Sequence, residues 1–198
     1  MPRNVAILIF DEVEVLDFAG PFEVFSVTGL REPGEAPFNV YTVAERADSI
    51  SARNNLRVTP HYTIDSCPPP DIIVIPGGFG AHRGPQAMTH NVVVLEWVQR
   101  QHKRTELTLS VCTGSLVLAR AGLLDGLQAT THHSAYERLA EFAPTATVIR
   151  DVRFVDNDKV ITSAGVQAGM DMALHVVARL LGREAALETA EYIEYDWR

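Results

Sequence analysis

The sequence predicts a single α/β domain spanning residues 1–198: an open, mostly parallel sheet with helices on both faces. Two observations carry this. Five short apolar runs lack the alternation of a strand with one wet face, and segments of helical periodicity separate them. Val5 to Phe10 is the first run, bounded by Asp11-Glu12, and it reads as a strand covered on both faces. Phe18 to Thr28 is the first helix and Phe38 to Val43 the second strand. Ser49 to Thr59, centred on Asn54-Asn55, reads as a small hairpin off the main sheet, because asparagine tolerates the left-handed backbone of tight turns. Ile72 to Ile75 is the third buried strand, Gln86 to His102 a helix, Leu107 to Val111 the fourth strand and Ser115 to Ala121 the helix after it. Gln128 to Thr131 is a short strand, Ala135 to Phe142 a helix, and Val148 to Val155 an alternating segment. Val160 to Thr162 is the last apolar run, followed by helices over Gly169 to Leu181 and Glu184 to Tyr195.

Composition narrows the function. The chain has 198 residues and a formal charge of 17 − 25 = −8. It therefore lacks the general positive field that gathers nucleic acid or anionic membrane, and neither is an expected partner. The longest stretch without a charge, Leu107 to Ala119, is thirteen residues, against about 20 for a bilayer span. The N-terminal apolar run meets two acids after six residues, so it is not an export signal. Two cysteines, Cys67 and Cys112, make no disulfide framework, and a cytoplasmic location with free thiols is expected. Pro68-Pro69-Pro70 is too short to be a domain linker.

In an open α/β sheet ligands sit at the carboxyl ends of the strands, so the turns there are where chemistry is sought. After the first strand comes Asp17, which can cap the helix starting near Phe18 or face the ligand crevice. After the third comes Pro76-Gly77-Gly78-Phe79-Gly80, glycines that turn the chain sharply and can present free N–H groups. Its spacing is not that of a nucleotide fingerprint. After the fourth comes Cys112-Thr113-Gly114-Ser115, one nucleophilic side chain between a buried strand and a helix, the logic of a nucleophile elbow. Such a helix start favours a thiolate, and the Thr113 N–H can donate to a developing oxyanion; the plain alternative is a small core residue. Cys67 lies beside no base or helix start and reads as structural. His132 and His133 follow the short strand and offer a general base. Metal is not expected, because neighbours on an extended chain point apart and no third ligand has suitable spacing. His61, His82, His90, His102 and His175 read as surface or satisfied residues.

These strings together carry a resemblance. Ser110 to Ala119, continued by Ala121 to Gly126 and Ala129-Thr130-Thr131-His132, with Leu16 to Pro21, Ile75 to Gly78 and Thr162 to Gly165, are similar to the ThiJ/PfpI superfamily, and within it to the isonitrile hydratase-like branch. The resemblance implies a flavodoxin-like, class I glutamine amidotransferase-like fold, no cofactor, a small-molecule substrate and a homodimer. It assigns Cys112 as the elbow nucleophile, Asp17 as the carboxylate facing it, Thr113 as the threonine of the hydratases and His132 as the family histidine. Gly78 and Thr113 would be backbone donors, and Gly77, Phe79 and His133 would line the substrate pocket. His133 stands where the hydratases carry tryptophan. The implied activity is addition of water to an isonitrile to give an N-substituted formamide. Competing readings are a glyoxalase-, deglycase- or protease-like cysteine enzyme and a cysteine sensor without turnover. The branch also contains regulators with a helix-turn-helix module after this domain; the chain ends at Arg198, and a stand-alone regulator is not expected.

Overall fold

The computed structural model describes residues 1–30 and 36–197. The elements run β1 (Arg3–Leu8), α1 (Val15–Val27), β2 (Phe38–Ala44), β3 (Ile50–Ala52), β4 (Leu56–Val58), β5 (Tyr62–Thr63), β6 (Ile72–Ile75), α2 (Phe79–His82), α3 (Val92–Arg104), β7 (Leu107–Val111) and α4 (Gly114–Arg120). They continue with β8 (Gln128–Ala129), α5 (Tyr136–Phe142), β9 (Thr147–Val148), β10 (Phe154–Asn157), β11 (Val160–Ser163), α6 (Ala168–Leu181) and α7 (Arg183–Tyr192). The main sheet has seven strands in the order β10-β11-β7-β6-β1-β2-β5, parallel except for the β10–β11 pair.

The order explains why the inner runs are buried throughout. From β1 the chain crosses to β2 on one side, whereas β6, β7 and β11 build out on the other. Right-handed crossovers in opposite directions place helices on opposite faces of the sheet. Accordingly α1, α6 and α7 pack together, and α4 packs with α2, α3 and α5. The strands between have no wet face: Ile7, Ile73, Leu109 and Ile161 are all fully buried. The direction reverses between β1 and β6, and it is there that strand ends splay to leave a crevice.

Several elements differ from the sequence reading, each for a local reason. The first strand is Arg3–Leu8, in register with β2 from Arg3 to Leu8; the Ile9 N–H still donates to the Val43 carbonyl at 2.8 Å, and Phe10 stays buried past the strand's end, because apolarity reports burial and not pairing. The helix expected from Gln86 begins at Val92, where the Asn91 side chain accepts the Val94 N–H and so sets the start. The alternating segment is two strands, β9 and β10, and Asp151 at φ 58° breaks the chain between them. The last helix stops at Tyr192 as Glu194 takes φ 50° and the Tyr195 N–H turns back to the Ala190 carbonyl. The hairpin is present as antiparallel β3 and β4, with Asn54 at φ 58° and Asn55 at φ 62°.

Among the described residues no helix is long and apolar enough to cross a membrane, and no group of three His, Cys, Asp or Glu side chains could hold a metal ion.

Candidate active site

Asp17 lies in the first turn of α1, which follows β1, and Gly77 and Cys112 belong to the turns after β6 and β7; the reversal of strand order brings the three together. Backbone bonds lock them. Val13 forms a bridge with Gly78, and the Glu14 N–H donates to the Gly77 carbonyl at 3.0 Å.

Cys112 is the elbow. Its φ is 56°, a left-handed conformation costly for a residue with a side chain, and it projects the sulfur away from the strand at the moment α4 begins. The turn is possible because Gly114 lies so close to the Ile75 carbonyl that no Cβ would fit. Gly77 is equally constrained: a Cβ there would sit 2.5 Å from the Thr113 nitrogen and 2.9 Å from Asp17 Oδ2.

Asp17 does not cap its helix. The helix starts at Val15, one turn earlier than the capping reading needs, and the buried carboxyl reaches across the crevice instead. Its Oδ2 accepts the Gly77 N–H at 3.0 Å. Its carboxyl lies against the Cys112 thiol, and each shifts the other's ionisation. The approach is not that of a well-formed hydrogen bond, and Oδ1 has no conventional partner. Burial, assisted by Glu14, pushes Asp17 up to about 7, against the opposing Gly77 bond. The carboxyl therefore gains and loses a proton near neutral pH.

The thiol departs from expectation. Burial first, and the facing carboxylate second, push Cys112 well above the usual thiol range, although the N–H groups of Thr113 and Val166 face the sulfur and favour the thiolate. The short α4 start does not overcome loss of solvent. The resting pair is a protonated thiol beside a carboxyl that titrates near neutrality.

Gly78 was expected to offer a free N–H. It donates instead to Thr113 Oγ1 at 3.0 Å, and the Thr113 hydroxyl donates back to the Gly78 carbonyl at 3.3 Å. The threonine thus clamps the two turns together, and its backbone N–H, not that of Gly78, faces the sulfur. The second N–H there belongs to Val166, which the sequence reading missed. Val166 has φ 48°, an unusual conformation for a β-branched residue, in a loop that no apolar pattern marks. A valine after Gly165 carried no signal of it.

His132 lies over Gly165, too close for any Cβ at that position, and its Nδ1 is engaged by the Ser134 hydroxyl at 2.9 Å and the Ser134 N–H at 3.3 Å. It is not among the groups that act on the Cys112 sulfur. Burial and His133 hold it below the ordinary histidine value, against an opposing pull from Glu14. His132 and His133 do not point apart: their ring centres lie 4.2 Å from one another, tilted by 35°, because His133 begins a tight helical turn and is not on an extended chain. Phe79 stands at the rim, more than a third exposed, with the guanidinium groups of Arg53 and Arg83 at 3.7 and 3.9 Å from its ring centre. Cys67 is half-buried with its thiol pushed up by burial, apart from this site.

Known proteins share this arrangement of chain. The isonitrile hydratase of Pseudomonas putida is 31% identical over 195 residues, 98% of this chain and 79% of that one. The HTH-type transcriptional regulator GbdR of Pseudomonas aeruginosa is 29% identical over 98% of this chain, which spans only 51% of the regulator's length. Among solved structures, a ThiJ/PfpI family protein from Pseudomonas syringae superposes with a TM-score of 0.87 at 30% identity, over 100% of this chain and 77% of that one. Drosophila melanogaster DJ-1beta shares the fold at 20% identity, with a TM-score of 0.83 over 100% of both chains. Residues 3–179 match the DJ-1/PfpI family, and with the elbow, the facing carboxyl and the flavodoxin-like sheet in place, this chain belongs to that family.

Proposed function

We propose that the protein is a cofactor-independent cysteine enzyme that adds water to an isonitrile, giving an N-substituted formamide. The observation that carries the reading is Asp17, a buried carboxyl titrating near 7 against the Cys112 thiol. An isonitrile carbon accepts both a proton and a nucleophile, and this pair holds one of each. The Cys112 proton passes through Asp17 to the terminal carbon as sulfur bonds to the same carbon, giving a thioimidate, R–N=CH–S–Cys112. Water then adds to that carbon, with one of its protons taken by Asp17 and delivered to nitrogen. The carbon–sulfur bond breaks as the formamide forms, and the proton left on the adduct's hydroxyl returns to sulfur. Gly77 holds Oδ2 as an acceptor and leaves Oδ1 to carry the proton. The N–H groups of Thr113 and Val166 steady charge on sulfur. In this reading His132 and His133 shape the pocket wall, the enzyme is a homodimer, as the sequence resemblance implies, and its free thiols suit a reducing cytoplasm.

The test is Asp17→Asn assayed with simple isonitriles beside Cys112→Ala. Asn keeps shape and the acceptor for Gly77 but cannot exchange protons. Turnover should fall by about 10²-fold or more, the usual scale for a positioned acid or base, while slow alkylation of Cys112 persists. Intact turnover in Asp17→Asn would overturn the mechanism.

A further inference from the structure

Among the described residues three donors converge on the Cys112 carbonyl. Two belong to Ser115 in the first turn of α4, its hydroxyl at 3.2 Å and its N–H at 3.4 Å. The third is the Thr131 hydroxyl at 2.9 Å, the shortest of the three, from a residue 19 positions further along the chain. Thr131 is fully buried, and it is not among the groups that act on the Cys112 sulfur or on the Asp17 carboxyl. Its segment is tied to the sheet: the Thr130 N–H donates to Thr162 Oγ1 at 2.9 Å, and Thr162 stands opposite Ser110 in the β11–β7 pair, two residues before the elbow.

The effect of that bond passes through one peptide plane. The Cys112 carbonyl and the Thr113 N–H belong to the same trans peptide, so they point in opposite directions and can only turn together. That N–H is one of the two that face the sulfur. Cys112 at φ 56° persists only while its surroundings hold it there. Rotation of the peptide toward an ordinary conformation would take the carbonyl off Thr131 and the N–H off the sulfur at once. A carbonyl that accepts a hydrogen bond also polarises its own amide, which makes the N–H a stronger donor. Satisfying a buried carbonyl does not by itself account for Thr131, because Ser115 already supplies donors to the same oxygen.

Resting on the cysteine-enzyme reading above, we propose that Thr131 is a positioning residue, whose hydroxyl holds the Cys112–Thr113 peptide so that the Thr113 N–H stays on the sulfur and stabilises it as a thiolate. It acts through the elbow and touches neither substrate nor sulfur.

The test is alkylation of Cys112 by iodoacetamide in the full chain, read at that residue by peptide mass spectrometry so that Cys67 does not count. It is run at pH 9, above the range in which Asp17 titrates, so that a change in rate reports the sulfur. Thr131→Val keeps the shape and loses the hydroxyl. Its rate should fall about fivefold, the scale of one net hydrogen bond, with the denaturation midpoint little changed because the Ser115 donors remain. Thr131→Ser should recover the parent rate. An unchanged rate in Thr131→Val, a rate in Thr131→Ser as low as in Thr131→Val, or a parent Cys112 that resists alkylation would overturn the proposal. So would a Thr131→Val chain that loses its fold, since the hydroxyl would then serve folding and not the donor on the sulfur. In a second arm a simple isonitrile is offered as substrate, and Thr131→Val should lower kcat and leave KM unchanged, because the Thr113 N–H acts on sulfur and not on bound substrate. If the parent turns over no isonitrile while the alkylation pattern holds, the hydratase reading fails and the positioning role stands; if the parent is active and Thr131→Val keeps its full kcat, the positioning role fails.

Discussion

Replacing Asp17 by Asn should stabilise the protein, and by an amount that depends on pH. Asp17 is fully buried, and folding moves it from its ordinary value of 3.8 up to about 7. Below pH 4 both folded and unfolded chains hold the proton and the carboxyl costs nothing. As pH rises the unfolded chain ionises first, and native stability is lost progressively until the folded group also ionises near 7. At ~1.4 kcal/mol per pKa unit, the full cost above pH 7 is about 4 kcal/mol. Asn carries no charge at any of these pH values and keeps an oxygen for the Gly77 N–H. The stability gap between Asp17→Asn and the parent should therefore widen by about 2 kcal/mol between pH 5.5 and 8.5, roughly 4–8 °C in Tm for a chain of this size. Thermal unfolding of both proteins in matched buffers, followed by circular dichroism, reads this directly. Two Tm curves that stay parallel across the range would refute the argument, since they would mean that the folded carboxyl titrates where the unfolded one does.

Two further predictions test the scaffold around that pair. At Cys112, where φ is 56°, Cys112→Gly should be more stable than Cys112→Ala by about 1 kcal/mol, because both lose the thiol but only glycine is at ease in the left-handed region; denaturant melts giving the order Ala above Gly would show that the elbow is unstrained. Thr113→Val removes the acceptor of the buried Gly78 N–H and should cost about 1–3 kcal/mol, the penalty for an unsatisfied buried donor. An unchanged denaturation midpoint would show that the clamp between the two turns contributes nothing.

The fold was legible because its signals are local and repeated. Ile72 to Ile75 and Leu107 to Val111 read as doubly covered strands, and both are found with those bounds and full burial. The hairpin was legible because Asn54 and Asn55 mark a left-handed turn in any context. Ends were less so. The Val5–Phe10 run and the Gln86 start failed because apolarity cannot say where a ladder stops, nor helical periodicity where a cap begins.

For the site, the sequence by itself singled out turns that the fold brings together at one crevice. One cysteine between a buried strand and a helix, and one aspartate after the first strand, are fixed by their order along the chain once the sheet is parallel. What those residues do to one another was decided by the tertiary structure. The reversal of strand order between β1 and β6 sets Asp17 against Cys112, 112 − 17 = 95 residues away. Solvent is excluded there, so burial outweighs the N–H groups facing the sulfur and the thiol is held protonated, not ionised as the elbow alone suggests. In the same way Thr113 takes the Gly78 N–H that an isolated turn would have left free, and Val166 supplies a donor from a loop with no signature of its own. Charge state and hydrogen-bond partners are properties of the assembled crevice. They depend on solvent exclusion and on distances between segments remote in the chain, and neither is written in the spacing of residues along it.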